Sequence, residues 1–296
     1  MSGEPSTSTS PRQRREPRPP TSRPTHFLCL PLSGKHYNPL PPSYESFKTA
    51  IRQFTIDETS REASYSDDDP SIIPPDAFRY FNTLHLTLGV MTLETQEKRE
   101  RAMSMLESLD LTQFFPTPVE NEEDKKLNVT LKGLEAMNPS PKGIEQCTLL
   151  IIPPTDAPNS SGVVANQGRL YSFAVALREH FIKAGIVSPE NRPLKLHATV
   201  VNTVYSRPKQ TRAPRGRDGK NHKGRHDRGS KEKTTFNATE VLEKYKDQVW
   251  ADRLEIDRVE ICRMGAARGE EVVGEDGIVE VVGDGYTATA TKLIWP

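Results

Sequence analysis

The sequence predicts an α+β fold built by duplication into two lobes. Two observations predict it. The order strand, helix, strand, helix, strand can be read in the first half of the chain and again in the second. The third element of each half then carries the same pattern, apolar residues alternating with His and Thr: Leu84-His85-Leu86-Thr87-Leu88 and Leu196-His197-Ala198-Thr199-Val200.

In the first half, Phe27 to Leu32 is a short apolar run closed by Pro31 and Gly34, which reads as a buried strand. Pro41-Pro42-Ser43 starts a helix on which Phe47, Ile51 and Phe54 recur at helical spacing. Thr83 to Met91 is strand-like, and Thr95 to Leu109 is a charged helix with an apolar stripe of Ala102, Met105, Leu106 and Leu109. Leu127, Val129 and Leu131 alternate with polar residues, as a half-buried strand does. In the second half, Cys147 to Ile152 is a strand, and Leu170, Phe173, Ala174, Leu177 and Phe181 define a helix that Gly185 stops. Leu196 to Val201 is a strand, Thr239 to Gln248 a helix, and Leu254 to Cys262 a further strand. A Gly-rich acidic hairpin over 265–285 leads to a last alternating strand, Tyr286 to Ile294.

Among the 296 residues, apolar side chains make up 34%, roughly 40% with the 18 glycines, against a globular norm of about 45 to 50%. Together with 25 prolines, this predicts that part of the chain stays unfolded. Three cysteines without a Cys-x-x-Cys pair exclude a disulfide framework and the usual zinc ribbons. No apolar run approaches the roughly 20 residues of a spanning helix, so a soluble, non-secreted protein of the nucleus or cytoplasm is expected, with no membrane partner. The formal charge of zero hides a segregation. Residues 207–233 carry 11 Lys/Arg against three acids, a net +8, and residues 1–24 carry a net +3, which leaves the rest acidic. The tail over 1–24 and the insertion over 206–235 are therefore read as disordered basic segments suited to nucleic-acid contact or nuclear import.

Side chains on a strand alternate faces, so His85 and Thr87 share one face and Leu84, Leu86 and Leu88 the other. His197 and Thr199 do the same. Breaking a phosphodiester requires a base for the attacking oxygen and an acid for the leaving oxygen, and two histidines near neutrality supply one of each. The threonine hydroxyls can donate to the non-bridging phosphate oxygens. Nothing in this scheme requires a metal or a cofactor. Phe27 and Tyr286 are aromatic residues on the first and last strands that could stack a base. There is no phosphate-binding Gly-Lys-Ser/Thr loop or dinucleotide fingerprint, so ATP-driven ligation is unsupported.

The paired histidine strands in a duplicated frame resemble the two-histidine (2H) phosphoesterases, which include 2′-5′ RNA ligase-like proteins and cyclic phosphodiesterases. Thr25-His-Phe-Leu-Cys-Leu-Pro-Leu32, Leu84-His-Leu-Thr-Leu-Gly-Val-Met91, Leu131-Lys-Gly-Leu134 and Leu194-Lys-Leu-His-Ala-Thr-Val200 resemble more closely the A-kinase anchoring protein 7-like phosphoesterase domain. That domain also occurs in a subunit of the activating signal cointegrator 1 complex. The resemblance spans 25–296 apart from the insertion. It implies antiparallel sheets facing a central cleft with helices outside, lobe one over about 25–140 and lobe two over about 145–296. It also places His85 and His197 at the catalytic positions and Thr87 and Thr199 at the phosphate. The expected activity is metal-independent hydrolysis of RNA ends, 2′,3′-cyclic phosphates or 2′-5′ linkages. The competing expectation is a non-catalytic nucleotide- or RNA-binding subunit of a nuclear coactivator or repair assembly. The oligomeric state is not readable from the residues.

Overall fold

The computed structural model describes residues 22–33, 44, 46–51, 73–116, 126–137, 143–155, 168–206, 234–267, 270–273, 279–282 and 285–295. The basic insertion over 207–233, the tail up to residue 21 and Phe54 lie outside the described residues.

The main body is one seven-stranded antiparallel sheet. Its strands are β1 (His26–Pro31), β2 (His85–Met91), β4 (Glu135–Ala136), β5 (Leu149–Ile152), β6 (Ala198–Asn202), β8 (Arg258–Arg263) and β11 (Ala288–Leu293), in the order β11-β8-β1-β2-β6-β5-β4. Beside it, β3 (Leu127–Lys132) pairs with β7 (Val249–Ile256), and β9 (Glu270–Val273) with β10 (Val279–Val282) forms the expected acidic hairpin. The mixed α+β, antiparallel class is as expected. The two histidine strands, however, lie side by side at the middle of a single sheet.

The helices cover one face of that sheet. α1 (Gln96–Ser108) starts at Thr95, whose hydroxyl accepts the Lys98 amide, and it buries Ala102 and Leu106. α2 (Arg169–Lys183) buries Leu170, Phe173, Ala174, Leu177 and Phe181 to 1% exposure or less, each worth about 1.5–3 kcal/mol for the large apolar members. It ends where Gly185 takes φ +71° and the amides of Ile186 and Val187 both return to the Phe181 carbonyl. The chain leaving α2 is laid directly on β2: Ser188 donates its amide to the Val90 carbonyl, and a Cβ at Gly89 would collide with Val187 Cγ1. Gly89 is what permits that close approach. Residues 44 and 46–51 are helical and bury Tyr44, Phe47 and Ile51, and α3 (Thr239–Tyr245) is shorter than its expected span.

One expectation is corrected. The run from Leu254 to Cys262 is not one strand but the end of β7 and most of β8, which belong to different sheets. The apolar alternation changes phase at Asp257: Leu254 and Ile256 precede it, Val259 and Ile261 follow it, and all four are buried. A one-residue phase change flips every later side chain, so the strand must break there. β8 then joins β1, with Phe27 opposite Cys262 and Cys29 opposite Glu260.

Candidate functional site

The β2–β6 register builds the site. Leu86 pairs with Ala198, and both point into the core with Leu28, Leu30, Leu88 and Val200. In an antiparallel pair that register sets position 85 opposite 199 and 87 opposite 197, on the face away from the core. His85, Thr87, His197 and Thr199 are all half-buried, between neighbours that are fully buried. Two patterns 112 positions apart in sequence thus become one polar patch, each histidine set across from the other strand's threonine.

Both imidazoles are held in the same way. His85 Nδ1 lies 2.7 Å from the Thr83 carbonyl oxygen, and His197 Nδ1 lies 2.8 Å from the Lys195 carbonyl oxygen. A carbonyl only accepts, so each Nδ1 carries its proton as donor and each Nε2 is left as the unprotonated nitrogen. The local chain explains the pairing: Thr83 ends a 3₁₀ turn (Phe81–Thr83), and Lys195 precedes β6, so each carbonyl two residues back is free of the β2–β6 ladder. Burial pulls the His85 imidazole down from 6.5 to about 4, the charges of Arg79 and His197 pull the same way, and the Thr83 carbonyl opposes them. Burial also lowers His197, with Lys195 and Arg192 adding to the effect and Glu135 and the Lys195 carbonyl opposing it.

Aromatic residues wall the His85 side. The Phe27 ring centroid is 4.8 Å from that of His85, and Tyr286 stands edge-on to His85 at 5.2 Å and to Phe27 at 4.9 Å. The structure therefore brings Phe27 and Tyr286 to the histidine. Phe27 is 3% exposed, while Tyr286 is half-buried. His26 is buried at the start of β1, its Nδ1 against the Thr25 hydroxyl. His180 packs on Phe114 at 5.2 Å.

Two features carried no sequence signal. Arg79, in the segment entering β2, donates from Nη2 to the Tyr286 hydroxyl at 2.8 Å. Beside Phe27, Cys29, Glu260 and Cys262 bring their ligand atoms within 4.8 Å of one another, the one such group of metal-ligating side chains among the described residues. There the Cys29 thiol lies 4.0 Å from Cys262 Sγ, Cys262 lies 3.4 Å from Glu260 Oε2, and Arg258 donates to Glu260 Oε1 at 2.8 Å. Burial raises the Cys29 thiol well above its ordinary value, so Cys29 stays a neutral thiol facing Cys262 Sγ. Cys29 is the register partner of Thr87, so the cluster lies on the same face of the sheet as the histidine patch, beside it.

The family model described as the AKAP7 2′5′ RNA ligase-like domain matches residues 24–271. The chain is 24% identical over 225 residues to an uncharacterized protein of Schizosaccharomyces pombe, covering 76% of this chain and 79% of that protein. Similar solved structures include a phosphoesterase, 15% identical, covering 92% of this chain and 98% of that one with a TM-score of 0.39. They also include E. coli LigT complexed with 3′-AMP, 15% identical with a TM-score of 0.39, covering 91% and 97% of the two chains. LigT complexed with NADP+ is 14% identical, covers 92% and 98%, and has a TM-score of 0.36.

Proposed function

The chain belongs to the AKAP7 2′5′ RNA ligase-like domain family, and from that footing we propose that it is a phosphodiesterase of the two-histidine kind. Its substrates are RNA ends, as 2′,3′-cyclic phosphates or 2′-5′ linkages, and the chemistry needs no metal. The observation that carries the reading is the matched tautomer: two histidines on neighbouring strands, each with Nδ1–H spent on a carbonyl two residues back and Nε2 left for substrate.

His85, the more strongly held neutral, acts as base. Its Nε2 takes the proton of the attacking oxygen, a water for a cyclic phosphate or the neighbouring ribose hydroxyl for a 2′-5′ linkage. A new P–O bond forms, the bond to the leaving oxygen breaks, and His197 Nε2 delivers a proton to that oxygen. Thr87 and Thr199 donate their hydroxyls to the non-bridging oxygens where negative charge builds up. A bound phosphate's negative charge favours the protonated form of both imidazoles, which for His197 is the form that delivers the proton. Tyr286 offers an aromatic ring to a nucleobase, and Phe27 packs against His85.

The test is a panel of short RNAs carrying cyclic-phosphate, 2′-5′ and 3′-5′ ends, incubated with the protein in EDTA. Turnover of a cyclic-phosphate or 2′-5′ substrate is the expected result. Binding of these substrates with no product would instead make the chain a nucleotide-binding subunit.

A further inference from the structure

Arg79 is held in a manner that its surroundings do not repay. Its amide donates to the Val200 carbonyl at 2.9 Å, the buried Tyr44 hydroxyl donates to its carbonyl, and its neighbour Phe78 bridges to Val201. These contacts fix the Arg79 backbone against β6, one residue from Thr199. From there the side chain reaches Tyr286, to whose Oη its Nη2 donates at 2.8 Å. The Tyr286 ring meets His85 edge-on, so guanidinium, phenol and imidazole form a row along one wall.

The charge in that row is unbalanced. The other cations near the two histidines have acidic partners: Lys195 lies 3.1 Å from Glu135, and Arg192 lies 2.9 Å from Glu190. No carboxylate among the described residues pairs with Arg79, and its charge makes protonation of His85 harder. A half-buried guanidinium near an imidazole, with no counter-ion among the described residues, is costly in the empty protein and favourable once an anion arrives. Arg presents five donors in a planar fork, of which Tyr286 uses one, and that fork matches phosphate oxygens.

We propose that Arg79 and Tyr286 form a second phosphate subsite, which holds a phosphate of the substrate next to the scissile one. This rests on the reading of the histidine patch as the phosphodiester site. The scissile phosphate lies between His85, His197 and the two threonine hydroxyls. Arg79 is displaced from that patch beyond the Tyr286 ring, on the His85 side, where the neighbouring phosphate of a short oligonucleotide or a terminal phosphomonoester would lie. The chain therefore prefers nucleotides that carry a phosphate beyond the bond to be cut.

The experiment compares dinucleotides with the linkage found to be cleaved, with and without a terminal phosphate at either end, in the wild type, R79K, R79Q and Y286F. A charge-assisted contact of this kind corresponds to roughly a 10- to 100-fold preference in kcat/KM for the phosphorylated substrate. R79Q should bring that ratio to about one, R79K should keep part of it, and Y286F should reduce it by loosening the fork. The exposed Arg263, substituted to Gln, should leave the ratio as in wild type. An R79Q ratio equal to wild type overturns the subsite, as does an equal loss on both substrates, which would place Arg79 on the scissile phosphate. Should the chain prove not to turn over, Kd values for the same pairs with the same variants test the subsite. Loss of the phosphate preference in R79Q would uphold it while the hydrolase reading fails.

Discussion

Replacing His85 with Gln should make the protein more resistant to acid than the wild type. In the folded chain the imidazole is lowered from 6.5 to about 4, chiefly by burial, with Arg79 and His197 opposing its protonation. Unfolding releases it to its ordinary value, so between about pH 4 and 6.5 the unfolded state binds more protons and stability rises with pH. The contribution is fully present above about 6.5 and is lost as the pH falls toward 4. At about 1.4 kcal/mol per tenfold, this amounts to about 2–3 kcal/mol, the lower figure allowing for solvent at the half-buried ring. Gln keeps an N–H for the Thr83 carbonyl but does not titrate. Urea unfolding of both proteins at pH 7, 6, 5 and 4 measures the effect. The lowered His26 acts alike in both, so the difference reports His85 together with its smaller coupling to His197. Wild type should lose about 2–3 kcal/mol more than the variant, about 1 M urea at ordinary slopes. Parallel stability curves would refute the claim that His85 is held neutral.

Gly89→Ala should cost about 1–3 kcal/mol, read as a lowered urea midpoint, because the new methyl group meets Val187, which is buried. Activity on the cleaved RNA substrate should survive EDTA. Loss in chelator with recovery on zinc, manganese or magnesium would move the chemistry to a metal. Removing residues 207–233 should flatten the log-log salt dependence of RNA binding, by about 0.7 for each phosphate that the insertion neutralises, with turnover of a small cyclic nucleotide kept. Identical slopes would make the insertion irrelevant to RNA.

Both histidine strands and α2 were legible because they depend on local periodicity. His85 and Thr87 alternate with leucines, and the α2 stripe repeats at helical spacing, so burial follows directly from spacing. The phase change at Asp257 was also written in the residues, yet the continuous β-favouring composition masked it and two strands read as one. What sequence could not give is long-range pairing. Nothing in Phe27 or Cys29 announces β8 as a neighbour, and nothing in Arg79 announces Tyr286, 207 positions away. The β2–β6 register is of this kind too: each motif was readable alone, and only the Leu86–Ala198 pairing puts both on one face of one sheet.

The most direct test of the two-histidine account is the rate of product formation by wild type, His85→Ala, His197→Ala and the double variant on the preferred RNA end, at saturating substrate in EDTA. Each single substitution should lower turnover by at least about 10²-fold with the folded circular-dichroism spectrum kept. The double should be little worse than either, because acid and base act as one unit. Near-wild-type turnover in either single variant would contradict the account.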